Sequence, residues 1–260
     1  MNSDDKIRES IEFIQEYAPQ AEKYGGYSVM FSGGKDSQVM LDLFKKSGVN
    51  YRAFYCVTTN DPPENVYFIR KNYPDVVFLR PRHTFLELIE KKGMLPTRTH
   101  RFCCRELKEN KGKGFVAVGV RREESVKRRN YNPIVFVGGK LYDPKKMRKN
   151  RKVLFRPILE WREDEVWQYI EDNDIPVNPC YDTRGRVGCM LCPFASAKDI
   201  VGYFQQYPKT LNNLKRIIER CMDRGKFWKF KDSDEVVDWW LSKLSYKDYR
   251  AKQRQLKLFE

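Results

Sequence analysis

Apolar and polar positions repeat along the first half of the chain with two different periods. Within residues 3–24, Ile7, Ile11 and Ile14 are three or four positions apart, which is the spacing of one helical face. Short apolar runs follow, and stretches with helical spacing separate them. The predicted strands are 27–31, 51–57, 76–79 and 115–119, and the predicted helices are 37–46, 62–71 and 84–92. Strands that alternate with helices are typical of an α/β fold with a mainly parallel sheet and helices on both faces.

The pattern changes after about residue 130. Residues 130–153 place Gly138-Gly139 between two short apolar runs and end in a basic stretch, which predicts a hairpin and a basic loop inserted into the α/β domain. Residues 162–173 predict a further helix. Residues 176–195 form a loop rich in proline, glycine and cysteine, and residues 196–260 are predicted to be helical and aromatic.

Composition narrows the class of partner. The chain has 50 Lys and Arg against 35 Asp and Glu, a formal net charge of +15, which favours a polyanionic partner, although solubility alone is an alternative reason. A hydrophobic content of 41% excludes a disordered chain. No apolar run approaches the ~18 residues of a membrane span, so we expect no membrane partner. The N-terminal residues are polar and acidic, unlike an export signal, so we expect a cytoplasmic protein whose seven cysteines are reduced or bind a metal.

The predicted strand 27–31 runs directly into Ser32-Gly33-Gly34-Lys35-Asp36-Ser37 and then into a helix. Two glycines allow a tight turn whose backbone amides approach an anion, and the helix adds its positive N-terminal end. Ser32 and Ser37 supply hydroxyls and Lys35 a positive charge, while Asp36 suits either a helix cap or Mg²⁺. The spacing differs from a Walker A loop. These residues therefore predict a phosphate-binding loop, with an ordinary strand–turn–helix junction as the alternative.

Arginines follow the end of the predicted strand 115–119, where open α/β sheets bind their ligands. Arg121, Arg122 and Arg128 carry guanidinium groups that suit phosphate or sulfate, so we predict that they bind the nucleotide. A solvated helix face is the alternative.

Two cysteine pairs form a second candidate site, Cys103-Cys104 and Cys189-x-x-Cys192, with Cys180 nine positions before Cys189. Adjacent side chains diverge in regular structure, so joint ligation by Cys103 and Cys104 favours a multinuclear centre. Zinc or no metal remain alternatives. Cys56 and Cys221 fall in a predicted strand and a predicted helix and suit a buried core.

Residues 145–152 are the densest basic run of the chain and would suit a nucleic-acid backbone, with the C-terminal Trp and Tyr residues as stacking groups. An exposed basic loop and aromatic core residues are the alternatives.

Four motifs in order resemble the phosphoadenosine phosphosulfate reductase family of the PP-loop superfamily. They are Ser32–Ser37, the cysteine segment Arg101–Lys108, the arginine segment Gly119–Ser125, and Phe155–Trp161 followed by Pro176–Pro179. The resemblance spans roughly residues 25–195. It implies a Rossmann-like PP-loop fold that binds ATP and cleaves it between the α- and β-phosphates, with Lys35 and Asp36 as catalytic residues and Mg²⁺ as cofactor.

The resemblance also implies a cofactor. A branch of the family binds a 4Fe–4S cluster through a Cys-Cys pair and a later Cys-x-x-Cys, which corresponds here to Cys103, Cys104, Cys189 and Cys192. Cys180 is an alternative ligand, because sulfurtransferases of DNA phosphorothioation resemble the later cysteine spacing. Sulfonucleotide reductases carry a Glu-Cys-Gly-Leu-His segment. The 260 residues of this sequence do not contain it, which places reductase activity in doubt.

These observations predict three regions: an N-terminal helix at 1–24, a nucleotide-binding α/β domain at 25–180 with the basic insert 130–153, and a cluster loop with a helical C-terminal region at 181–260. We expect an ATP-dependent sulfur-transfer enzyme that adenylates tRNA or DNA and uses a sulfur donor protein. The alternatives are a reductase that releases sulfite from adenylyl or phosphoadenylyl sulfate, and a non-enzymatic cluster-containing nucleic-acid binder.

Overall fold

A computed structural model describes residues 3–109, 111–147 and 151–256. The chain forms two compact units that are interleaved in sequence. The first unit comprises Met1–Val57, Pro62–Arg80 and Asn110–Val187, and the second comprises Thr58–Asp61, Pro81–Glu109 and Gly188–Glu260. Residues 58–61 and 81–109, which belong to the predicted domain 25–180, therefore group with the C-terminal residues.

The first unit contains a six-stranded sheet. Its strands are β1 (Tyr27–Phe31), β2 (Tyr51–Cys56), β3 (Val77–Leu79), β4 (Phe115–Val118), β5 (Ile134–Phe136) and β6 (Val153–Phe155). The strand order is β3-β2-β1-β4-β6-β5, and every neighbouring pair is parallel except β5 and β6. The predicted α/β class with a mainly parallel sheet is confirmed.

Helices alternate with these strands and continue beyond them. They are α1 (Ser3–Glu16), α2 (Ala18–Glu22), α3 (Lys35–Ser47), α4 (Pro63–Asn72), α5 (Phe85–Lys92), α6 (Phe102–Cys104), α7 (Glu163–Asp172), α8 (Cys180–Arg184), α9 (Ala197–Gln206), α10 (Pro208–Asp223), α11 (Ser233–Ser242) and α12 (Tyr246–Leu256). Helix α6 continues into a π-helical turn over Arg105–Glu109.

Two local predictions differ from the structure. The single helix predicted over residues 3–24 is interrupted at Tyr17, because Pro19 has no amide to continue the helical ladder. Gly138-Gly139 does form a turn, with a bridge between Val135 and Leu141, but the main partner of β5 is β6. Val153, the last residue of the predicted basic insert 130–153, thus begins strand β6 of the sheet.

Each unit has its own hydrophobic core. Aromatic rings fill the core of the first unit, where the Tyr27 hydroxyl donates to the Ile14 carbonyl at 2.7 Å and Phe13 stacks on Phe155 at 4.5 Å. In the second unit, α5, α9, α10 and α11 bury Leu88, Ile218 and Trp240. In the described part of the chain, no helix is long and apolar enough to cross a membrane.

Candidate functional site

The glycine loop, Ser32–Ser37, runs from the end of β1 into the first turn of α3, and its two serines stabilise it. The Ser32 amide donates to Ser37 Oγ at 3.1 Å, and the two hydroxyl oxygens are 3.0 Å apart. Ser37 Oγ, which is buried, donates to the Gly34 carbonyl at 2.8 Å. Both hydroxyls, which the sequence offered as phosphate ligands, stabilise the turn itself in this structure.

Glycine is required at Gly33 for two reasons. Its φ of +78° lies in the left-handed region, and a Cβ there would stand 2.3 Å from Asn65 Oδ1 and 3.0 Å from the side chain of Ile69. Gly119, after β4, is similar, because its Cβ would lie 3.0 Å from the backbone carbonyl group of Asp36. Side chains of α4 therefore leave no room for a Cβ at Gly33, and the backbone at the start of α3 leaves none at Gly119.

Two buried asparagines support the loop through its carbonyl groups. Asn65 Nδ2 donates to the Ser32 carbonyl at 3.2 Å, and Asn178 Nδ2 donates to the Gly33 carbonyl at 2.9 Å. Asn178 also donates to Asn65 Oδ1 at 2.7 Å, and its own oxygen accepts from the Cys180 amide at 3.0 Å. These hydrogen bonds satisfy the carbonyls of Ser32 and Gly33 and so stabilise the turn.

The first turn of α3 carries the amides that suit an anion. The Lys35 amide donates to the Tyr181 hydroxyl at 2.8 Å. No described residue accepts a hydrogen bond from the amides of Asp36 and Ser37. A helix N-terminus leaves such amides without internal acceptors, and its partial positive charge favours a phosphate.

Charged side chains converge on this turn. Lys35 Nζ lies 3.3 Å from Asp36 Oδ2 and 3.4 Å from Glu163 Oε1. Arg121 is only 2% exposed, and its Nε is 2.5 Å from Asp36 Oδ1. Burial disfavours the charged form of Arg121, but the carboxylates of Asp36, Glu124 and Glu123 outweigh burial and raise its pKa. Arg121 thus remains a cation beside the loop.

Magnesium, which the sequence suggested for Asp36, has poor support in this arrangement. One carboxylate oxygen of Asp36 binds Arg121, and the other lies beside Lys35. Both oxygens are already neutralised by cations, so the side chain does not fit an Mg²⁺ ligand as it stands.

The other predicted nucleotide ligands have partners of their own. Arg122 Nε donates to Glu160 at 2.6 Å, and Arg128 forms an ion pair with Glu124. Of the three predicted arginines, Arg121 is the one with a direct contact to a loop residue among the described residues.

Four cysteines line one pocket in the second unit. Cys103 and Cys104 lie in α6, while Cys189 and Cys192 come from the loop before α9. The remaining lining is mostly apolar, with one cation, and consists of Thr58, Asn60, Phe85, Leu107, Lys108, Leu191 and Pro193. The structure therefore brings together the two pairs that are 85 positions apart in sequence (Cys104 to Cys189).

Positive charge and hydrogen bonding act on these thiols. A hydrogen bond from Cys103 lowers the pKa of Cys104 to about 6, and Lys108 and Arg101 act in the same direction. The negative charge of Cys189, followed by Asp61 and Cys104, raises the pKa of Lys108 above its ordinary value in spite of burial. The hydrogen bond with Cys104 raises the pKa of Cys103, and burial raises the pKa of Cys189, so these two thiols do not share the lowered pKa of Cys104. An adjacent ammonium group favours the thiolate form that a metal ligand requires.

The segment Thr58–Asp61 contacts residues 188–195, the cysteine loop that carries Cys189 and Cys192, and no role for this segment was predicted from sequence. The Asn60 carbonyl accepts from the Met190 amide at 2.8 Å, and Asn60 Oδ1 accepts from the Leu191 amide at 3.1 Å. The Thr58 hydroxyl lies 3.7 Å from Cys189 Sγ. Thr59, in the left-handed region with φ of +57°, accepts from the Phe85 amide at 2.7 Å. This short segment therefore fixes both Cys189 and the start of α5.

The donor chemistry of the pocket fits a 4Fe–4S cluster. Four thiols face one apolar pocket, no carboxylate lines it, and Lys108 supplies positive charge for an anionic cluster. No three His, Cys, Asp or Glu side chains among the described residues stand close enough to hold a single metal ion. Cys180 belongs to the first unit, where it is buried near Glu64 and Asn65.

Comparison with known families identifies the chain. Residues 26–195 match the model of the phosphoadenosine phosphosulfate reductase domain. This chain belongs to the phosphoadenosine phosphosulfate reductase family. The matched range includes the glycine loop, Arg121 and all four pocket cysteines.

Relatives of this family member are distant and differ in length. Uncharacterized protein MJ0973 of Methanocaldococcus jannaschii is 27% identical over 246 residues, covering 86% of this chain and 57% of the relative. An adenosine 5'-phosphosulfate reductase of Oceanobacillus iheyensis is 28% identical over 174 residues, covering 62% of this chain and 68% of the reductase. The chain spans about half or less of the length of three curated relatives: 57% of the M. jannaschii protein, 45% of a protein of Escherichia phage 186 and 35% of a Staphylococcus haemolyticus reductase.

Solved structures include the phosphoadenylyl-sulfate reductase of Candida auris in a phosphate complex. It aligns with a TM-score of 0.47 and 18% identity, covering 67% of this chain and 87% of that chain.

Several residues that contact the candidate site of this reductase-family chain were not predicted from the sequence. Asn65, Asn178 and Tyr181 contact the glycine loop, and Thr58 and Asn60 contact the cysteine loop. Single polar residues in helices and loops carry no periodic signal. The one available signal was position along the chain, since Thr58–Asp61 directly follows the predicted strand 51–57, and segments that follow strands of a parallel sheet commonly carry functional residues.

Proposed function

We propose that this chain is an ATP-dependent sulfur-transfer enzyme that adenylates an acceptor such as tRNA or DNA. The glycine loop carries this proposal. Buried asparagines donate to its carbonyls, the amides of Asp36 and Ser37 lack acceptors among the described residues, and Lys35 and Arg121 flank it. This arrangement suits the pyrophosphate of an adenine nucleotide.

In the first step, an acceptor oxygen attacks the α-phosphorus. A bond forms between that oxygen and phosphorus, the α–β phosphoanhydride bond breaks, and pyrophosphate leaves with the electron pair. The α3 amides and Lys35 stabilise the charge that develops on the leaving pyrophosphate. Asp36 orients Arg121 through its short ion pair, so Asp36 is a positioning residue for that cation.

In the second step, a nucleophilic sulfur from the donor attacks the activated carbon of the acceptor. A carbon–sulfur bond forms, the carbon–oxygen bond breaks, and AMP leaves with the oxygen. A 4Fe–4S cluster bound by Cys103, Cys104, Cys189 and Cys192 would supply an iron site for sulfur or electrons. Lys108 keeps positive charge beside these thiolates, and the apolar lining excludes water.

Reduction of a sulfonucleotide is a second candidate. The family match and the 28% identity to an adenosine 5'-phosphosulfate reductase favour it. In that reaction the same loop would hold the phosphate groups of adenylyl or phosphoadenylyl sulfate, and sulfite would be released.

The decisive experiment supplies ATP with bulk tRNA or DNA fragments, or a sulfonucleotide with a dithiol reductant, and measures pyrophosphate and sulfite. We expect pyrophosphate from ATP. Lys35→Ala should lower its release about 100-fold, because it removes one preorganised charge at the leaving group, and it should weaken ATP binding in equilibrium dialysis. Lys45→Ala, an exposed lysine of the same helix, is the matched control.

Sulfite release without pyrophosphate would establish the reductase function instead. Neither product, with nucleic-acid binding retained, would support a non-enzymatic binder. ATP binding and turnover unchanged in Lys35→Ala would overturn the role of the loop.

A further inference from the structure

One aromatic side chain of the second unit stands out by its exposure. Trp228 is 76% exposed, in the loop 224–231 that joins α10 to α11. The other tryptophans of this unit, Trp239 and Trp240, belong to its hydrophobic core. Among the C-terminal aromatic residues that the sequence offered as stacking groups, Trp228 therefore has the accessible ring.

The loop 224–231 is held in place at both ends. Helix α10 ends in a Schellman motif at Gly225, where the Lys226 amide donates to the Cys221 carbonyl at 2.9 Å. At the other end, the Lys229 carbonyl accepts from the Tyr246 hydroxyl at 3.0 Å and from Arg250 at 2.6 Å. Since α12 fixes the loop through its backbone, the exposure of Trp228 does not depend on a loose segment.

The three aromatic residues of this loop differ in their surroundings, since Phe227 and Phe230 pack against protein whereas Trp228 is exposed. Phe227 has a φ of +51°, which is rare for an aromatic residue and marks a constrained turn. Phe230 packs on Trp239 at 5.1 Å and on Tyr246 at 5.2 Å. Phe227 and Phe230 therefore contact other residues of the second unit. Trp228, which lies between them in sequence, is exposed to solvent.

Three exposed lysines lie within three positions of Trp228 in sequence: Lys226, Lys229 and Lys231. The Lys229 ammonium lies 5.0 Å from the centre of the Trp228 ring. Within the described residues, neither Lys226 nor Lys229 forms an ion pair. Of the nearby acids, Asp232 caps α11 and lies 3.9 Å from Lys231 Nζ, and Glu235 binds Arg250. Lys226 and Lys229 therefore place positive charge without an acidic partner, among the described residues, beside the exposed Trp228 ring.

We propose that the loop 224–231 binds single-stranded nucleic acid, with Trp228 stacking on one base and the lysines contacting the flanking phosphates. Aromatic platforms beside cations are the usual means of binding unpaired bases. A membrane anchor would expose its apolar side chains together, whereas Phe227 and Phe230 contact protein here. Binding of single-stranded nucleic acid by this loop does not depend on the proposed function. Only the identification of the bound strand as the acceptor of adenylation rests on it.

The test measures binding of fluorescein-labelled twelve-nucleotide RNA and DNA strands to the full chain without ATP. Trp228→Ala should weaken binding about 5- to 150-fold, the loss typical of one stacked base. Trp228→Phe should remain within a few-fold of the parent, because a smaller ring still stacks. Tyr67→Ala, which removes an aromatic ring that is 68% exposed in the first unit, is the control and should bind like the parent.

A second readout follows the tryptophan directly. Iodide should quench a fluorescence component that Trp228→Phe lacks, and the oligonucleotide should protect that component. Equal affinity of parent and Trp228→Ala, or no protection from iodide, would overturn the proposal. Protection by anionic phospholipid vesicles but not by oligonucleotides would assign the loop to a membrane surface. Since ATP is absent, these results are independent of pyrophosphate release.

Discussion

Single residues determine the conformation of the glycine loop. Gly33 has a left-handed φ and no room for a Cβ, and Asn178 satisfies its carbonyl from a fully buried position. An unpaired buried carbonyl would cost about 1–3 kcal/mol. The conformation that exposes the α3 amides therefore depends on a few contacts behind the loop.

Gly33→Ala should abolish ATP binding and destabilise the fold. The substitution combines left-handed strain of about 1–2 kcal/mol with overlap against Asn65, so the loop must move. Gly25→Ala is the matched control, because Gly25 has a φ of +87° and nothing within 4 Å of an added Cβ. Equilibrium dialysis with ATP and urea denaturation distinguish the two variants. ATP affinity equal in Gly33→Ala and Gly25→Ala would contradict the steric argument.

The sequence predicted the position of the glycine loop between a strand and a helix but not the residues that support it. Glycine, serine and lysine between a strand and a helix have a recognisable local order. Asn65 and Asn178 are more than 100 positions apart, and they meet only because the fold brings them together. No periodic or local pattern announces a buried amide pair, so this part of the site required the structure.

At the level of secondary-structure elements, the strands that alternate with helices were predictable, including the short β3 (predicted 76–79, observed Val77–Leu79), whereas β6 was not. Strands β1, β2 and β4 closely match their predicted ranges, since each is an apolar run between turn residues. Strand β6 has only three residues beside a basic stretch, and its pairing with β4 and β5 is a tertiary contact. The grouping of Thr58–Asp61 with the cysteine loop is likewise a long-range effect.

The cysteine elements make a prediction about iron. Protein purified without oxygen should contain about four irons per chain, as a cubic cluster requires, with a broad visible absorption. Cys189→Ser and Cys192→Ser should each remove the iron, because each takes away one of four thiolate ligands. Zinc without iron in anaerobic protein would refute the cluster.

Two further cysteines serve as controls for that experiment. Cys221→Ser should retain iron, because Cys221 is buried in the core of the second unit. Cys180→Ser tests the alternative ligand, and we expect it to retain iron as well, since the four pocket cysteines already supply one complete set of ligands. Loss of iron in Cys180→Ser but not in Cys192→Ser would reassign the ligands.

The molecule as a whole carries a formal charge of +15, and the basic insert contributes densely to it. Lys145 and Lys146 are exposed, and Lys146 lies 2.8 Å from Asp143. Arg148 and Lys149 lie outside the described residues. Strong net charge steers polyanions toward a protein over long distances, whereas local contacts determine where they bind.

Replacing four basic residues of the insert with serine separates local contacts from net charge. The variant changes Lys145, Lys146, Arg148 and Lys149. If the insert contacts a nucleic-acid backbone, the affinity for duplex DNA should fall strongly at low salt and little at high salt, because fewer counterions are released. The slope of log affinity against log salt should decrease by up to about 0.9 for each lost phosphate contact.

The matched control replaces four exposed lysines elsewhere, Lys23, Lys45, Lys91 and Lys92, so that both variants lose the same charge. If only net charge matters, the two variants should bind DNA equally, and the insert is an exposed basic loop with no binding role. If the insert is a contact surface, its variant alone should show the reduced slope. ATP binding should be unchanged in the insert variant, because the substitutions leave Ser32–Ser37 and its contacts intact. A reduced slope confined to the insert variant would thus support a nucleic-acid acceptor, whereas equal slopes would favour a small-molecule acceptor or the sulfonucleotide reaction.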